Sequence, residues 1–328
     1  MGVQDPTANG IAAPPAPAST WLGYGACALA GGLWGTGFFW GRIALNEMSV
    51  AHMVVYRFLF ASLGMLPVAL LHPVRQTRGD WRILLLASAF GVPIQFLMQF
   101  HGLALTTVSH AALMVGAMPV LLAVAAAIFA GERLDAIGWI ALCASTAGAA
   151  LVALGGKTTA NGRDTPSLNG DLLVIASLIT ALAWILLSKR LLESHSAPVV
   201  SAYTILCGTA MLLAWEYGPA LLVPFTHRPT ESIVLHHVSR LAWVALAFSG
   251  LFCTATTTWL WNWGIHRVPA SRAGVFLNLE PVLGSVLGVE LLGEHLGPYA
   301  WMGGILIVGA AVVLTSKGNG AKNEVILE

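Results

Sequence analysis

Charge is what this chain has least of. Lys, Arg, Asp and Glu make up 9% of its 328 residues, against about a quarter in ordinary soluble domains, so it cannot cover itself with a solvated surface. A net charge of +1 supplies no basic stripe to neutralise phosphates, which argues against nucleic acid as a partner. Cysteine is scarce as well. Cys27, Cys143, Cys207 and Cys253 all fall inside apolar runs without a CxxC or Cys/His cluster, so neither a disulfide framework nor a metal site is expected. The chain has no HExxH, GxSxG, P-loop or GxGxxG, and no carboxylate pair within one helical turn in mid-membrane. These absences argue against an intramembrane enzyme or an ATP-driven pump, and no cofactor is called for. The first 20 residues carry neither Lys nor Arg and no apolar core, so they read as a disordered tail rather than a secretory leader.

What the chain does have is apolar sequence. Hydrophobic residues are 57% of it, and they form runs of roughly 20, the length that crosses a hydrocarbon core about 30 Å thick. Ten spans are predicted: Trp21–Leu45, Val50–Leu71, Trp81–Leu105, Ala111–Ala130, Ala136–Leu154, Leu172–Lys189, Pro198–Glu216, Leu241–Ile265, Ala270–Leu292 and Pro298–Ser316. The expected fold is an all-α polytopic membrane protein in a lipid bilayer. With both termini cytoplasmic, the inner connections hold Arg75, Arg78, Arg82, Arg133, Lys189, Arg190, Arg267, Arg272, Lys317 and Lys322. The outer side then holds only Arg42, Lys157, Arg163, Arg228 and Arg240. This bias follows the positive-inside rule and predicts both ends inside.

One stretch occurs twice. Moving Gly102–Leu134 forward by 162 positions lays it on Gly264–Leu296 without a gap, pairing Ser109 with Ser271, Pro119 with Pro281 and Glu132 with Glu294. Spans one to five and six to ten therefore form two units. Five is odd, so the second unit enters the membrane from the opposite face, as in carriers built from inverted repeats. The expected layout is a tail at 1–20, a first repeat at 21–154, a linker at 155–170, a second repeat at 171–316 and a tail at 317–328. Trp34 and Trp184 correspond only if a gap is allowed after them.

An ionisable group inside hydrocarbon costs at least about 2.5 kcal/mol, so each one needs a partner, water or a function. Arg57, seven residues into span two, reads as a site or gate residue or as a structurally paired arginine. Glu280 stands before Pro281 in span nine, where the proline frees backbone polar groups. It reads as a cation or proton site, or as a structural hydrogen-bonding group; the matching residue in the first unit is Met118. Phe276, Gly284 and Leu287 share its helical face and Asn278 points away. Gln95 and Gln99 share one face of span three, as His52 and Tyr56 do on span two. Each pair suits either a substrate or helix adhesion. Trp40, Trp259, Trp261 and Trp263 read as interface-belt residues, whereas Trp184 sits mid-span and joins the candidates. Glu132 and Glu294 read as terminus markers in headgroup water, and Glu290 needs a partner such as Arg272. Pro119 and Pro281 mark hinges, and Gly284 with Gly288 permits close packing.

In order, spacing and duplication, several segments resemble the EamA repeats of the drug/metabolite transporter superfamily. They are Leu33-Trp34-Gly35-Thr36-Gly37-Phe38, Arg57-Phe58, Pro119 through Gly131-Glu132-Arg133-Leu134, Gly170-Asp171-Leu172 with Trp184 and Lys189-Arg190, and Glu280-Pro281-Val282 through Gly293-Glu294-His295-Leu296. The resemblance covers nearly all of residues 21 to 316. It implies a ten-helix inverted-repeat carrier of the bacterial inner membrane that exports amino acids or other small metabolites through a central cavity, with no oligomer required. The chain departs from the commonest pattern with Arg42 where lysine is frequent, and with a long loop, Gly218 to Arg240, holding His227, His236 and His237. The resulting expectation is a secondary transporter of a small-molecule substrate, with proton coupling through Glu280 as a sub-hypothesis. A multidrug carrier, or a nucleotide-sugar or sugar-phosphate carrier, is the alternative within transport. A non-transporting membrane sensor or intramembrane enzyme is the alternative outside it.

Overall fold

The computed structural model describes residues 17–72, 78–118, 120–121, 124–125, 136–154, 167–221, 238–267 and 276–317. Among these residues there is no strand, and helices follow the apolar runs. They are α1 Pro17–Leu45, α2 Val50–Leu71, α3 Arg78–Ala89, α4 Gln95–Leu105, α5 Val108–Val115, α6 Ala136–Leu154, α7 Leu168–Leu192, α8 Ala197–Leu221, α9 Arg240–Gly250, α10 Thr257–Ile265, α11 Leu279–Leu292 and α12 Pro298–Lys317. Two π-helical segments, Phe90–Ile94 and Leu251–Thr256, join α3 to α4 and α9 to α10. Among the described residues five continuous stretches are long and apolar enough to cross a membrane: Val50–Leu71, Gly79–Leu105, Leu168–Leu192, Ala197–Gly218 and Arg240–Ile265. Leu63, Leu70, Ile140, Trp215 and Ile305 project exposed from the surface, a pattern that marks contact with lipid.

Hydroxyl caps set the helix starts. Ser49, Thr107, Ser167 and Ser239 accept the N–H groups of His52, His110, Gly170 and Ala242, each cap being worth about 1 kcal/mol. The Ser167 cap starts α7 at Leu168, inside the stretch expected to be linker, and α1 likewise starts at Pro17, inside the expected tail. Residues 1–16, 155–166 and 318–328 lie outside the described residues, as do Pro119 and Gly131–Leu134.

Helix boundaries recur under two constant shifts. A shift of 147 carries the end of α1 at Leu45 to the end of α7 at Leu192, and the start of α2 at Val50 to the start of α8 at Ala197. A shift of 162 carries Arg78 to Arg240, Gln95 to Thr257 and Ala136 to Pro298, the starts of α3, α4 and α6 and of α9, α10 and α12. The π segments fall at matching places under that second shift. So does a turn, at Gly116-Ala117 in one copy and at Asn278 in the other. The break expected before each repeat proline is therefore present in both copies.

Small residues let the helices cross closely. A β-carbon on Gly284 would meet Ala112, and one on Gly288 would meet Ser109, where α11 crosses α5. α6 and α12 approach through Gly148 and Gly303, each facing the other's carbonyl oxygen. We expect Gly303→Val to destabilise the protein by about 1–3 kcal/mol or more through overpacking, read as a lower melting temperature in detergent. An unchanged melting curve would mean that this crossing adapts freely.

Polar contacts gather the helix ends that alternate crossings would bring to one side. Arg42, near the end of α1, donates to the carbonyls of Leu103 and Thr106. Thr106 Oγ1 donates to Asp171 Oδ1 of α7 at 2.7 Å. Glu294, past the end of α11, accepts from Val108 and Ser109 at the start of α5. Glu47, after α1, accepts from the Ser239 backbone and hydroxyl before α9. Those Ser239 bonds, the hydroxyl first, hold the Glu47 carboxyl below the usual carboxylate range.

Candidate functional site

Where the two units meet, they line a cavity open to the outside, with about 640 Å³ of space between its walls when the solvent at its mouth is included. α1 contributes Trp34, Gly37 and Phe38, α2 contributes Arg57, and α4 contributes Gln95, Phe96, Gln99 and Phe100. The first turn-break contributes Val115 and Met118. From the second unit come Leu178, Ala181, Trp184 and Ile185 of α7, Trp261 of α10, and Leu277 and Glu280 around the second break. The two shifts pair most of this lining: Trp34 with Ala181, Gly37 with Trp184, Phe38 with Ile185, Gln99 with Trp261, Val115 with Leu277, and Met118 with Glu280. The units offer the same places and fill them with different chemistry. Trp184 thus takes the place of Gly37, not of Trp34, and no gap is needed.

Arg57 is 3% exposed. Its guanidinium lies over the rings of Phe96 and Phe100, at 5.0 and 5.1 Å. Its Nε donates to Thr254 Oγ1 at 2.8 Å, and Nη2 donates to the Cys253 carbonyl at 3.4 Å. Both acceptors sit in the second π segment, where the departure from α-helical bonding presents backbone and hydroxyl oxygens sideways. Nη1 has no hydrogen-bond partner among the described residues. Gln95 Oε1 and Trp261 Nε1 are also buried without one. Glu280 is half-buried against the cavity and makes no hydrogen bond or ion pair with any described residue. Trp34 tilts against Trp261 with ring centroids 5.3 Å apart. Trp184 fills the hollow over Gly91, where a β-carbon would collide with its indole. A smaller lobe of about 420 Å³ adjoins, adding Thr204, Thr254 and Thr258. Buried polar groups are normally paired, so Arg57 Nη1, the Glu280 carboxyl, Gln95 Oε1 and Trp261 Nε1, which have no hydrogen-bond partner among the described residues, leave bonding capacity unused around one space.

The structure brings Arg57, Gln95, Gln99, Trp184 and Glu280 together, and leaves Tyr56, Phe276 and Asn278 outside the lining. Tyr56 meets Trp243 edge-on at 5.1 Å. The turn at Asn278 takes Phe276 off the face of Glu280, and Phe276 packs on Tyr24, centroids 6.0 Å apart. Asn278 is buried in the break with both amide atoms unpartnered. Pro281 and Gly284 are buried in α11 as packing residues, and Gly288 lies against Ser109 and the Glu294 carboxylate. Glu294 does more than mark a terminus: it is half-buried, and Oε1 and Oε2 accept from the Val108 and Ser109 N–H groups, each at 2.7 Å, so the carboxylate caps a helix of the other unit. Glu290 is exposed near the end of α11 and needs no buried partner; Glu132 and Arg272 lie outside the described residues.

Four features escape the sequence reading. Trp34 enters it only as a possible repeat match and Trp261 as a belt residue; its 3% exposure marks it, but a sequence does not show exposure. Thr254 gave no signal. Buried Asp171 lies 3.8 Å from His110 Nδ1, a pairing between sequence-distant residues on different helices.

A bundle with an apolar outer surface around a largely apolar cavity that holds a few polar side chains has the build of a multi-pass membrane protein of the carrier type. The EamA-like transporter family matches residues 21–154 and again 168–316, and the chain belongs to that family. YetK of Bacillus subtilis, an uncharacterized transporter, is 25% identical over 283 residues, 84% of this chain and 82% of the relative. An uncharacterized transporter of Archaeoglobus fulgidus is 22% identical over 87% of this chain and 94% of its own. A probable terminal-alkyne amino-acid exporter of Streptantibioticus cattleyicolor is 25% identical over 89% of this chain and 92% of its own. One solved crystal structure covers 91% of this chain and 98% of its own with a TM-score of 0.60 at 20% identity, a shared fold.

Proposed function

We propose that the chain is a secondary transporter that exports amino acids or related small metabolites across a bacterial inner membrane by alternating access. The observation that carries this reading is the cavity itself: both units line it at matching places, and Gln95 Oε1 and Trp261 Nε1 on its wall are buried without a hydrogen-bond partner among the described residues. The likeness to a probable amino-acid exporter supports the substrate class. Ten spans in two inverted five-span units, with both termini cytoplasmic, are supported by the two shifts and by the clustering of alternate helix ends. Ser62 Oγ donates to Thr209 Oγ1 at 2.9 Å, and the 147 shift relates these two residues to each other. A two-fold axis lets a residue touch its own equivalent, and here it would run between α2 and α8. Arg57, Gln95, Gln99, Trp184 and Glu280 are the proposed substrate contacts. Among the described residues the cavity holds a single guanidinium, which favours a carboxylate over the several phosphate contacts a nucleotide sugar would need.

Purified protein in liposomes is expected to release a preloaded pool of amino acids faster than empty liposomes do. Release of no amino acid or related metabolite above that background would sink the reading. Proton coupling through Glu280 is expected to show as transport whose pH dependence flattens in Glu280→Gln, and an unaltered profile would remove Glu280 from that role.

A further inference from the structure

The cavity carries two formal charges of opposite sign, and they come from different units. Arg57 is supplied by α2 of the first and Glu280 by α11 of the second. They make no direct ion pair with each other, but each lies within reach of the other's field. The places they occupy are duplicated, but the charges are not: the 147 shift takes Arg57 to Thr204, and the 162 shift takes Glu280 back to Met118. Thr204 and Met118 both border this space. One end of a solute therefore meets a guanidinium whose Nη1 has no hydrogen-bond partner among the described residues, and another end meets a carboxyl group with no donor among them.

A charge held in such surroundings is costly unless it is matched. A solute with a carboxylate and an ammonium matches both. A solute with the carboxylate alone satisfies Arg57 but brings a second negative charge toward Glu280, where few polar groups screen the repulsion. Resting on the transport reading above, we propose that Glu280 is a specificity-determining residue: it restricts the cavity to zwitterions by repelling solutes that carry a carboxylate without an ammonium group. The neutral Met118 at the equivalent place shows which side chain the scaffold accepts there without a charge.

The test uses the full chain in liposomes with three probe pools: the protein amino acids, the corresponding 2-oxo acids and the corresponding decarboxylated amines. Release is read by mass spectrometry. The wild type is expected to move amino acids at least about 10-fold faster than either other pool, the effect of roughly 1.4 kcal/mol of discrimination. E280M and E280Q, folded by melting curve and gel filtration, are expected to raise the ratio of 2-oxo acid to amino acid transport about 10-fold or more. A merely structural role would lower all three pools together and leave the ratio unmoved, which overturns the proposal. Wild type that moves 2-oxo acids as fast as amino acids overturns it while leaving the carrier reading intact. Wild type that moves none of the three pools overturns both.

Discussion

Arg57→Lys is expected to abolish transport of carboxylate-bearing solutes, lowering initial rates about 100-fold in liposomes while the protein remains folded. The guanidinium is planar, lies over Phe96 and Phe100, and directs Nε to Thr254 and Nη2 to the Cys253 carbonyl, which leaves a separate edge for a ligand. A lysine ammonium is a point donor on a flexible stem and cannot hold that scaffold and a ligand at once. The charge is kept but hydrogen bonds of the charged fork are lost, each worth about 1.5–3 kcal/mol, and about 2.7 kcal/mol already corresponds to 100-fold. Transport within a few-fold of wild type in Arg57→Lys would show that the guanidinium fork is not what holds the substrate.

Glu294→Ala is expected to be among the most destabilising single changes in the chain. Both carboxylate oxygens serve N–H groups at the start of α5, which have no earlier turn to bond to. Each buried donor left without a partner costs about 1–3 kcal/mol, and every 1 kcal/mol lowers the melting temperature of a chain this size by about 2–4 °C. A drop of at least about 5 °C is the expected reading, with Glu294→Gln in between because its single carbonyl oxygen can replace one acceptor but not two. The same contact ties α11 to α5 beside the Thr106–Asp171 bond. A cysteine placed at Gln99 is therefore expected to react faster with an impermeant maleimide from that side in Glu294→Ala. Unchanged melting together with unchanged labelling would remove the cap from any role in closing this end.

The parts of the fold that rest on composition could be read directly from the sequence. Apolar runs of bilayer length became helices because hydrocarbon leaves a backbone few other ways to satisfy itself. Proline in a repeated place marked a break that both copies contain. The 162 shift was visible because residue identities survive along it, whereas the 147 shift survives only as helix ends such as Leu45 and Leu192 and has too few shared letters to find. At the site, the cost of burying charge singled out Arg57 and Glu280, and both line the cavity, since that cost does not depend on knowing the neighbours. The same argument read Glu294 only in part. It named water as the cheap partner, and the carboxylate also serves a helix start nearly 190 residues away in sequence. Tryptophan resisted the reading because an indole suits a headgroup boundary and a binding cavity equally well, and only packing separates Trp261 from Trp259.

The two π segments carry a date. Each interrupts regular helical bonding, and each lies at the same place in its unit, Phe90–Ile94 in one and Leu251–Thr256 in the other. Yet the residues across them, Phe-Gly-Val-Pro-Ile and Leu-Phe-Cys-Thr-Ala-Thr, have little in common. Such a shared register is what an irregularity carried by a single unit before its duplication leaves behind. Since then the sequences have diverged around it. One copy now sets it beside Trp184 and the other beside Arg57, so a single inherited defect in winding has been put to two uses.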